Sequence, residues 1–388
     1  GEIAFDRLLV DQHLDSTIEL LQRATARQRI CSDNGAPACT ALRPLFLDGQ
    51  RYAELMRAAE LVMGALERVG EQLLADPELR HGLGIPAYLD PILAMDAEHG
   101  AAPVFARLDG LVSAEGELRF IEYNGHTGGG VALSDEMQRA FDRMPVVRAF
   151  AARQPLRWIP VYDVLEDAIH ERQQRLGRPG PPRIGVVQTG PLMHQNRDNR
   201  WLPYLASRGC LVALAPAEHY DYRDGRLRLG TLELDWVVLM RWDEVYEPPD
   251  AMGPVFQAIR DGAVLEWRGI AHSLVKEYKH VFELLTAPEH RGRHDEATWA
   301  ALQRHVPWTR VLRPRETTYE DATVDLLPFV EQNRERLVLK PGGGLGGKGV
   351  VLGFTVDDGA WRAAVKRARR RNYVVQELVP LRDRKSVV

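Results

Sequence analysis

The segment that decides the fold is a glycine-rich loop between two apolar strands, Leu337-Val-Leu-Lys340-Pro-Gly-Gly-Gly-Leu-Gly-Gly-Lys-Gly-Val-Val-Leu-Gly353. The apolar run that ends at Lys340 predicts one strand, and residues 350–352 predict a second. Six glycines lie between the two strands. Because glycine has no side chain to intervene, the backbone N–H groups of such a loop can approach a phosphate. The segment therefore predicts a flap that folds over phosphates. A flexible hairpin without a ligand is the alternative, although so many glycines would weaken a purely structural hairpin.

Two common phosphate-binding motifs match this loop only in part. Gly342, Gly344 and Gly347 fit the pattern G-x-G-x-x-G, but that motif opens a helix, and a β-branched strand follows here. A P-loop requires Ser or Thr after Lys348, and the residue in that position is Gly349. The pattern therefore favours a strand–loop–strand flap over a loop that caps a helix.

Length and composition set broad limits on the class of protein. A chain of 388 residues is long enough for two or three domains, and a formal net charge of −4 gives no reason to expect nucleic acid or a membrane surface as partner. No apolar run approaches the roughly 20 residues of a membrane span, and we recognise no signal peptide. The cysteines Cys31, Cys39 and Cys210 lack metal-binding spacing. We therefore expect a reduced, cytoplasmic setting.

A second feature is the segment 103–125, which predicts a β-hairpin with a Glu-Gly turn. Arg107 and Asp109 are two residues apart, as are Glu122 and Asn124, so each pair projects from one face of its strand. If the strands pair antiparallel, two carboxylates and an amide oxygen converge, and Mg²⁺ prefers such oxygen ligands. Arg107 beside them would hold a phosphate or a substrate carboxylate. A half-exposed hairpin with solvated charges is the alternative interpretation.

The middle of the chain alternates strands and helices. Strands are predicted at 183–188 and 209–214 with a helix at 197–208 between them, and a hairpin over 227–238 follows. Ligands of parallel α/β sheets bind beyond the carboxyl ends of the strands. Asn199 follows the first strand and Arg241 the last, so both are predicted substrate contacts. His126 and Thr127 extend the polar edge of the earlier hairpin and are also predicted substrate contacts.

Helices are predicted in three further regions. Residues 1–100 read as mostly helical, with a regular apolar face from Arg51 to Leu74. One helix is predicted over 273–285, and Asp357 is expected to cap another that runs to about Arg371.

The order of these motifs resembles that of the circularly permuted ATP-grasp ligases, among them glutathionylspermidine synthetase and eukaryotic glutathione synthetase. Arg-x-Asp at 107–109 and Ile-Glu-x-Asn at 121–124 precede Lys340 and its glycine loop, and the likeness covers roughly residues 103–380. The resemblance implies an α/β (α+β) fold, an ATP-grasp fold in circularly permuted order with an inserted small parallel α/β substrate domain. It divides the chain into a helical N-terminal region at 1–100, an ATP-grasp lobe with the metal-binding hairpin at 101–180, the substrate domain at 181–270, and a lobe with the flap and an adenine hinge at 271–388.

The resemblance also implies an activity and a set of site residues. The activity is ATP- and Mg²⁺-dependent, ADP-forming carbon–nitrogen ligation through an acyl phosphate, with an amino acid or short peptide as substrate. The resemblance implies a metal site at Asp109, Glu122 and Asn124 and catalytic roles for Arg107 and Lys340. The implied nucleotide contacts are Lys279 (with Lys276 as its rival), Lys340, Gly342, Gly343, Gly344, Gly346, Gly347, Lys348, Gln376, Glu377, Leu378 and Val379.

Two departures from the family leave other functions open. Permuted relatives continue for several tens of residues beyond the hinge, whereas this sequence stops at Val388, and the flap has no acidic residue where glutathione synthetase has a metal ligand. The alternatives are a phosphotransferase on the same fold, in which phosphate stays on the product, and an inactive nucleotide-binding module, which the short C-terminal part would account for. The carboxylate and amine substrates are not identified, and a homodimer is expected only because glutathione-type relatives are often dimers.

Overall fold

The computed structural model describes residues 2–27, 42–95, 103–125, 131–188, 201–239, 250–344 and 347–381. The chain divides into two compact units, one comprising Gly1–Tyr52, Gly128–Arg241 and Lys385–Val388, the other Ala53–Thr127 and Trp242–Arg384. Helices and several separate sheets make this a mixed α/β fold, as predicted. The finer division into four regions stays a prediction.

Within the described residues, the α-helices and β-strands occur in the following order along the chain. The helices are α1 Glu2–Leu8, α2 Leu14–Arg27, α3 Gly49–Ala75, α4 Pro77–Leu83, α5 Asp90–Leu93, α6 Val131–Arg143, α7 Pro145–Ala151, α8 Val161–Arg175, α9 Trp201–Ser207, α10 Gly253–Arg260, α11 Ile270–Glu277, α12 Val281–Thr286, α13 Glu296–His305, α14 Leu326–Gln332 and α15 Asp358–Ala368. The strands are β1 Arg107–Val112, β2 Leu118–Asn124, β3 Arg183–Gln188, β4 Leu211–Pro216, β5 Tyr220–Arg223, β6 Arg226–Leu229, β7 Leu232–Glu233, β8 Trp236–Leu239, β9 Leu265–Glu266, β10 Thr309–Val311, β11 Glu316–Tyr319, β12 Ala322–Asp325, β13 Leu337–Pro341, β14 Val351–Leu352 and β15 Tyr373–Glu377.

The first unit contains the parallel strands that the middle of the sequence predicts. Strand β3 pairs in parallel with β4 on one side and with β8 on the other. The predicted 227–238 hairpin is only partly correct, because β6 pairs with β7 while β8 joins the parallel strands. All four residues of β8 are buried, which is typical of a central parallel strand and explains why it leaves the hairpin.

The second unit is built on an antiparallel sheet with the order β10-β15-β13-β14. Leu337, Leu339 and Val375 pack on one face of this sheet, in a buried cluster that includes Trp361 of α15. Side chains alternate along a strand, so Lys340 projects from the opposite face. The two strands predicted around the glycine loop are confirmed, because β13 and β14 pair antiparallel.

The helix predicted over 273–285 is two helices instead. Helix α11 ends at Glu277, and Tyr278 then adopts an extended backbone with φ −66° and ψ 116°. The backbone N–H of Lys279 donates to the carbonyl of Gly342 at 2.8 Å, a contact with the loop that replaces a helical hydrogen bond. The helix is therefore interrupted where the chain contacts the glycine loop, before α12 begins.

The cap predicted at Asp357 is confirmed, but its helix is shorter than expected. The Asp357 carboxylate accepts a hydrogen bond from the N–H of Ala360 at 2.8 Å. Helix α15 ends at Ala368 rather than near Arg371, and Asn372 has a positive φ of 58° as the chain reverses into β15. Among the residues that the structure describes, no helix is both long enough and apolar enough to cross a membrane.

Candidate functional site

The predicted hairpin is present and brings its polar residues together. Strands β1 and β2 pair antiparallel, with Asp109 opposite Glu122 and Arg107 opposite Asn124. The register shifts immediately after Asp109, where the chain forms a bulge. Two carboxylates are therefore cross-strand neighbours, and the amide of the buried Asn124 lies two residues further along β2.

Each of the two carboxylates is in contact with a cationic side chain. Arg107 Nε lies 2.6 Å from Asp109 Oδ1, and both side chains are more than one-third exposed, at 42% and 37%. Lys279 Nζ lies 2.9 Å from Glu122 Oε1, and the lysine side chain is only 8% exposed. An exposed ion pair adds little stability, so Arg107 can exchange its partner at small cost.

The structure separates the two rival lysines of the 276–279 segment. Lys279 Nζ also lies 3.4 Å from the carbonyl of Gly344, so it contacts both a carboxylate and the glycine loop. Lys276 lies elsewhere, fully buried, 2.5 Å from Glu67 and 5.1 Å from the centre of the Tyr123 ring. Of the two, it is Lys279 that lies at the carboxylate pair.

Lys340 reaches the same group of residues from β13. Its ammonium donates to Gln376 Oε1 at 2.6 Å and to the carbonyl of Ile121, next to Glu122, at 3.3 Å. Burial lowers the pKa of Lys340 to about 8; the charge of Glu122 opposes this shift, while that of Lys279 adds to it. Because burial penalises the charged form, a nearby anion would stabilise the lysine as a cation.

Aromatic rings support the base of the glycine loop. Tyr278 and His280 stack with their ring centres 6.1 Å apart. A Cβ atom at Gly342 would lie 1.9 Å from His280 Cε1, and one at Gly343 would lie 3.3 Å from the Tyr278 ring. Close packing therefore requires glycine at 342, whereas a side chain at 343 would press against the Tyr278 ring. Further along, Gly344 has a positive φ of 118°, so this glycine meets a backbone requirement instead.

The sequence patterns did not predict the supporting residues. Tyr278 and His280 lay inside a segment that we predicted as one continuous helix. Glu277, whose carboxylate accepts a hydrogen bond from the N–H of Gly125 at 2.8 Å, was also not predicted. The consecutive glycines were the one sequence signal for this packing, because a loop that packs closely against rings needs residues without side chains.

The predicted adenine hinge lines a cavity of about 340 Å³. Glu377, Leu378 and Val379 form one wall, together with Arg119 of β2 and Arg336 just before β13. The Glu377 carboxylate accepts a hydrogen bond from the Tyr319 hydroxyl at 3.0 Å. The other hinge residue, Gln376, directs its side chain to Lys340 rather than into this cavity.

Several predicted site residues cannot be placed in this arrangement. His126, Thr127, Asn199, Arg241 and Gly346 lie outside the described residues. Gly347 is described and has a positive φ of 71°, and the neighbouring Lys348 is exposed. The roles assigned to all of these residues stay predictions.

The oxygen donors of the hairpin are chemically suited to magnesium. Asp109 and Glu122 supply two carboxylates side by side, and Asn124 supplies an amide, a donor set that Mg²⁺ prefers over nitrogen or sulfur. Within the described ranges, no group of three or more His, Cys, Asp or Glu side chains is arranged to hold a metal. An ion held by these oxygens would therefore need further ligands to complete its shell.

Comparison with known proteins shows a distant fold relationship. No protein-family model matches the sequence, and no curated protein matches it. The structure is similar to that of a glutathione synthetase-like effector from Globodera pallida in its apo form, with a TM-score of 0.63 and 13% sequence identity over 96% of this chain and 84% of that chain. A likeness at this identity shows the fold alone. The chain thus has a mixed α/β fold distantly related to that of a glutathione synthetase-like protein.

Proposed function

We propose that this chain is an ATP- and Mg²⁺-dependent carboxylate–amine ligase on a circularly permuted ATP-grasp fold. The observation that supports it best is the meeting of two lysines from separate elements at one pair of carboxylates. Lys279 contacts Glu122, and Lys340 contacts the backbone next to it, beneath the base of the glycine loop. The distant likeness to a glutathione synthetase-like effector is consistent with this proposal.

The charge balance of the group favours an anionic ligand. Three cationic side chains, Arg107, Lys279 and Lys340, surround the two carboxylates of Asp109 and Glu122, so one positive charge is in excess. A partly buried cluster with this excess attracts phosphate groups. Lys279 and Lys340 would bind phosphate oxygens, and Arg107 would stabilise the transferring phosphoryl group. Asp109, Glu122 and Asn124 would hold magnesium, which neutralises phosphate charge when bound.

The position of the hinge cavity is compatible with a nucleotide. Strand β13 begins beside the cavity at Leu337 and carries Lys340 three residues later, roughly 10 Å away at the usual rise of a strand. We propose that Glu377, Leu378 and Val379 contact the base and that the phosphates lie toward Lys340. The glycine residues from Gly342 to Gly349 would then close over the phosphates.

The proposed reaction has two steps. A substrate carboxylate oxygen attacks the γ-phosphorus of ATP, which gives an acyl phosphate and releases ADP. An amine nitrogen then attacks the acyl carbon, forms the amide and releases phosphate. The protein contributes positioning and charge neutralisation, and a closed flap would exclude water that hydrolyses the acyl phosphate. Asn199 and Arg241, with His126 and Thr127, are proposed to bind an amino acid or short peptide.

The decisive experiment measures ADP, phosphate and hydroxamate with Mg-ATP, hydroxylamine and pooled amino acids and dipeptides. Hydroxylamine replaces the unknown amine and traps an acyl phosphate as a hydroxamate. We expect hydroxamate whose formation depends on one carboxylate. ADP without hydroxamate or free phosphate would instead establish a phosphotransferase, and ATP binding without turnover would favour an inactive nucleotide-binding module.

A further inference from the structure

A buried chain of hydrogen bonds leads from the first strand of the antiparallel sheet to Lys340. Gln376 lies on β15, one of the two inner strands, directly opposite Thr309 of β10, and the residue is 2% exposed. Its amide nitrogen donates to Thr309 Oγ1 at 3.0 Å, and its amide oxygen accepts from Lys340 Nζ at 2.6 Å. The Thr309 hydroxyl in turn donates to the carbonyl of Pro307 at 2.9 Å.

The donors and acceptors of this series of hydrogen bonds fit together in one direction. The Thr309 hydroxyl donates to the Pro307 carbonyl, which leaves the lone pairs of the hydroxyl to accept from Gln376. The amide must therefore turn its NH₂ group toward Thr309. The reverse orientation would place that NH₂ group against the Lys340 ammonium, where two donors would face each other. Thr309 and the donor-only Lys340 thus favour the same orientation, in which a carbonyl oxygen faces the lysine.

We infer that Thr309 and Gln376 are positioning residues for Lys340, holding its ammonium toward the carboxylate hairpin. The inference rests on the proposed function, in which Lys340 binds nucleotide phosphates. A free lysine samples many rotamers, and ordering it costs up to about 2 kcal/mol. Gln376 Oε1 and the carbonyl of Ile121 order it in advance and occupy two of its three N–H donors. One donor is left for a ligand.

The chemistry of the two acceptors matters as much as their position. An amide and a peptide carbonyl are neutral, so they orient the ammonium without cancelling its charge. A glutamate at position 376 has nearly the same shape but would form a buried ion pair with Lys340. Such a pair would compete with phosphate for the lysine. The Gln376→Glu variant is therefore expected to bind Mg-ATP more weakly than Gln376→Asn, whose shorter side chain is neutral and adds no competing charge.

Threonine substitutions provide the sharpest test, because the second unit offers a matched control. Thr317 is also buried, and its hydroxyl accepts a hydrogen bond from Arg310 Nε at 2.7 Å rather than from Gln376. Thr309→Val and Thr317→Val each remove one buried hydroxyl while keeping the side-chain shape. Thr309→Ser restores the hydroxyl at the position of interest.

The first measurement needs no nucleotide. Urea unfolding of the full chain is compared for Thr309→Val, Lys340→Met and the double variant, and for the same cycle with Thr317→Val. Thr309 and Lys340 are joined by hydrogen bonds to the two ends of the Gln376 amide, so we attribute non-additivity in their cycle to Gln376. We expect Thr309→Val to destabilise less when Lys340 is already Met, and the Thr317 cycle to be additive. An additive Thr309 cycle would overturn the inference.

The second measurement is Mg-ATP binding by calorimetry. Loss of one ordering hydrogen bond predicts about tenfold weaker binding for Thr309→Val, with wild-type affinity for Thr309→Ser and Thr317→Val. Equal affinity for Thr309→Val and Thr317→Val would reject the positioning role. Absence of Mg-ATP binding by the wild-type chain would refute the proposed function, and the unfolding cycle would still report separately on the Thr309–Lys340 coupling.

Discussion

At the scale of single residues, two lysines that are close in sequence differ sharply in surroundings. Lys276 is fully buried against Glu67 and the Tyr123 ring, whereas Lys279 joins Glu122 to the glycine loop. Burial lowers the pKa of Lys276, and the charge of Glu67 opposes that shift. The first lysine therefore belongs to the packing of α11, and the second to the candidate site.

This difference predicts opposite results for matched substitutions. Lys279→Met should weaken Mg-ATP binding by about tenfold or more, because a charge-assisted hydrogen bond to phosphate is lost. Lys276→Met should retain the affinity but lower the free energy of unfolding by about 1–3 kcal/mol, because Glu67 loses its partner. Calorimetric titration and urea unfolding of both variants measure the two effects. Equal Mg-ATP affinity in the two variants would remove Lys279 from the site.

Glu122 is the residue most directly tied to the proposed magnesium site, because its carboxylate is a proposed ligand. Glu122→Ala should reduce hydroxamate formation about a hundredfold or more, since it removes a metal ligand and a charge at the reacting phosphate. The control is Glu117→Ala, directly before the second strand of the same hairpin, where the carboxylate pairs with the exposed Arg304. Wild-type turnover by Glu122→Ala, with unchanged circular dichroism, would contradict the metal assignment.

At the scale of elements, the break between α11 and α12 supports the base of the flap. The rings of Tyr278 and His280 face the first glycines of the loop, and the N–H of Lys279 bonds to the Gly342 carbonyl. One interrupted helix therefore both supports the loop and delivers Lys279 to Glu122. An unbroken helix would present different side chains to the loop and could not make this backbone bond.

A double-mutant cycle tests this packing. Gly342→Ala should destabilise the protein by about 1–3 kcal/mol, because the new Cβ would overlap the His280 ring. His280→Ala should also destabilise it. The double variant should be more stable than the sum of the two effects predicts, because the overlap with the ring is gone and only that with the Asn372 carbonyl, at 2.7 Å, remains. Urea unfolding gives the coupling energy. Strict additivity would show that Gly342 and His280 do not pack together in solution.

At the scale of the whole molecule, buried and half-buried histidines make stability depend on pH. Burial lowers the pKa of His280 from 6.5 to about 4, and it also lowers the pKa values of His290 and His294. Below pH 6.5 the unfolded chain takes up protons that the folded chain does not take up until a lower pH. These groups therefore stabilise the fold above pH 6.5, and that stability is lost as the pH falls toward 4.

The shift at His280 predicts a loss of about 2 kcal/mol between pH 7.5 and pH 5 from this residue alone. His280→Gln should be less stable than wild type at pH 7.5 but should lose less stability on acidification. The exposed His219→Gln serves as the matched control. Urea unfolding at both pH values measures the difference. Parallel pH profiles for wild type and His280→Gln would contradict a neutral, buried His280.

The elements that the sequence predicted correctly are those with local signals. The hairpin over 103–125 follows from apolar residues on either side of a Glu-Gly turn, and the cap at Asp357 follows from a side chain that reaches its own helix. The position of Lys340 at the end of an apolar strand was predicted for the same reason. In each case the residues involved are close in the chain, so the pattern carries the information.

The sequence by itself thus determined the mixed α/β class, the hairpin that pairs Asp109 with Glu122, and the strands on both sides of the glycine loop. Only the tertiary structure decided that Lys279, not Lys276, meets Glu122, and that Gln376 turns toward Lys340. Contacts between residues far apart in the chain decide these features. Such contacts leave no local period or spacing, since burial and hydrogen-bond partners are set only when distant elements pack.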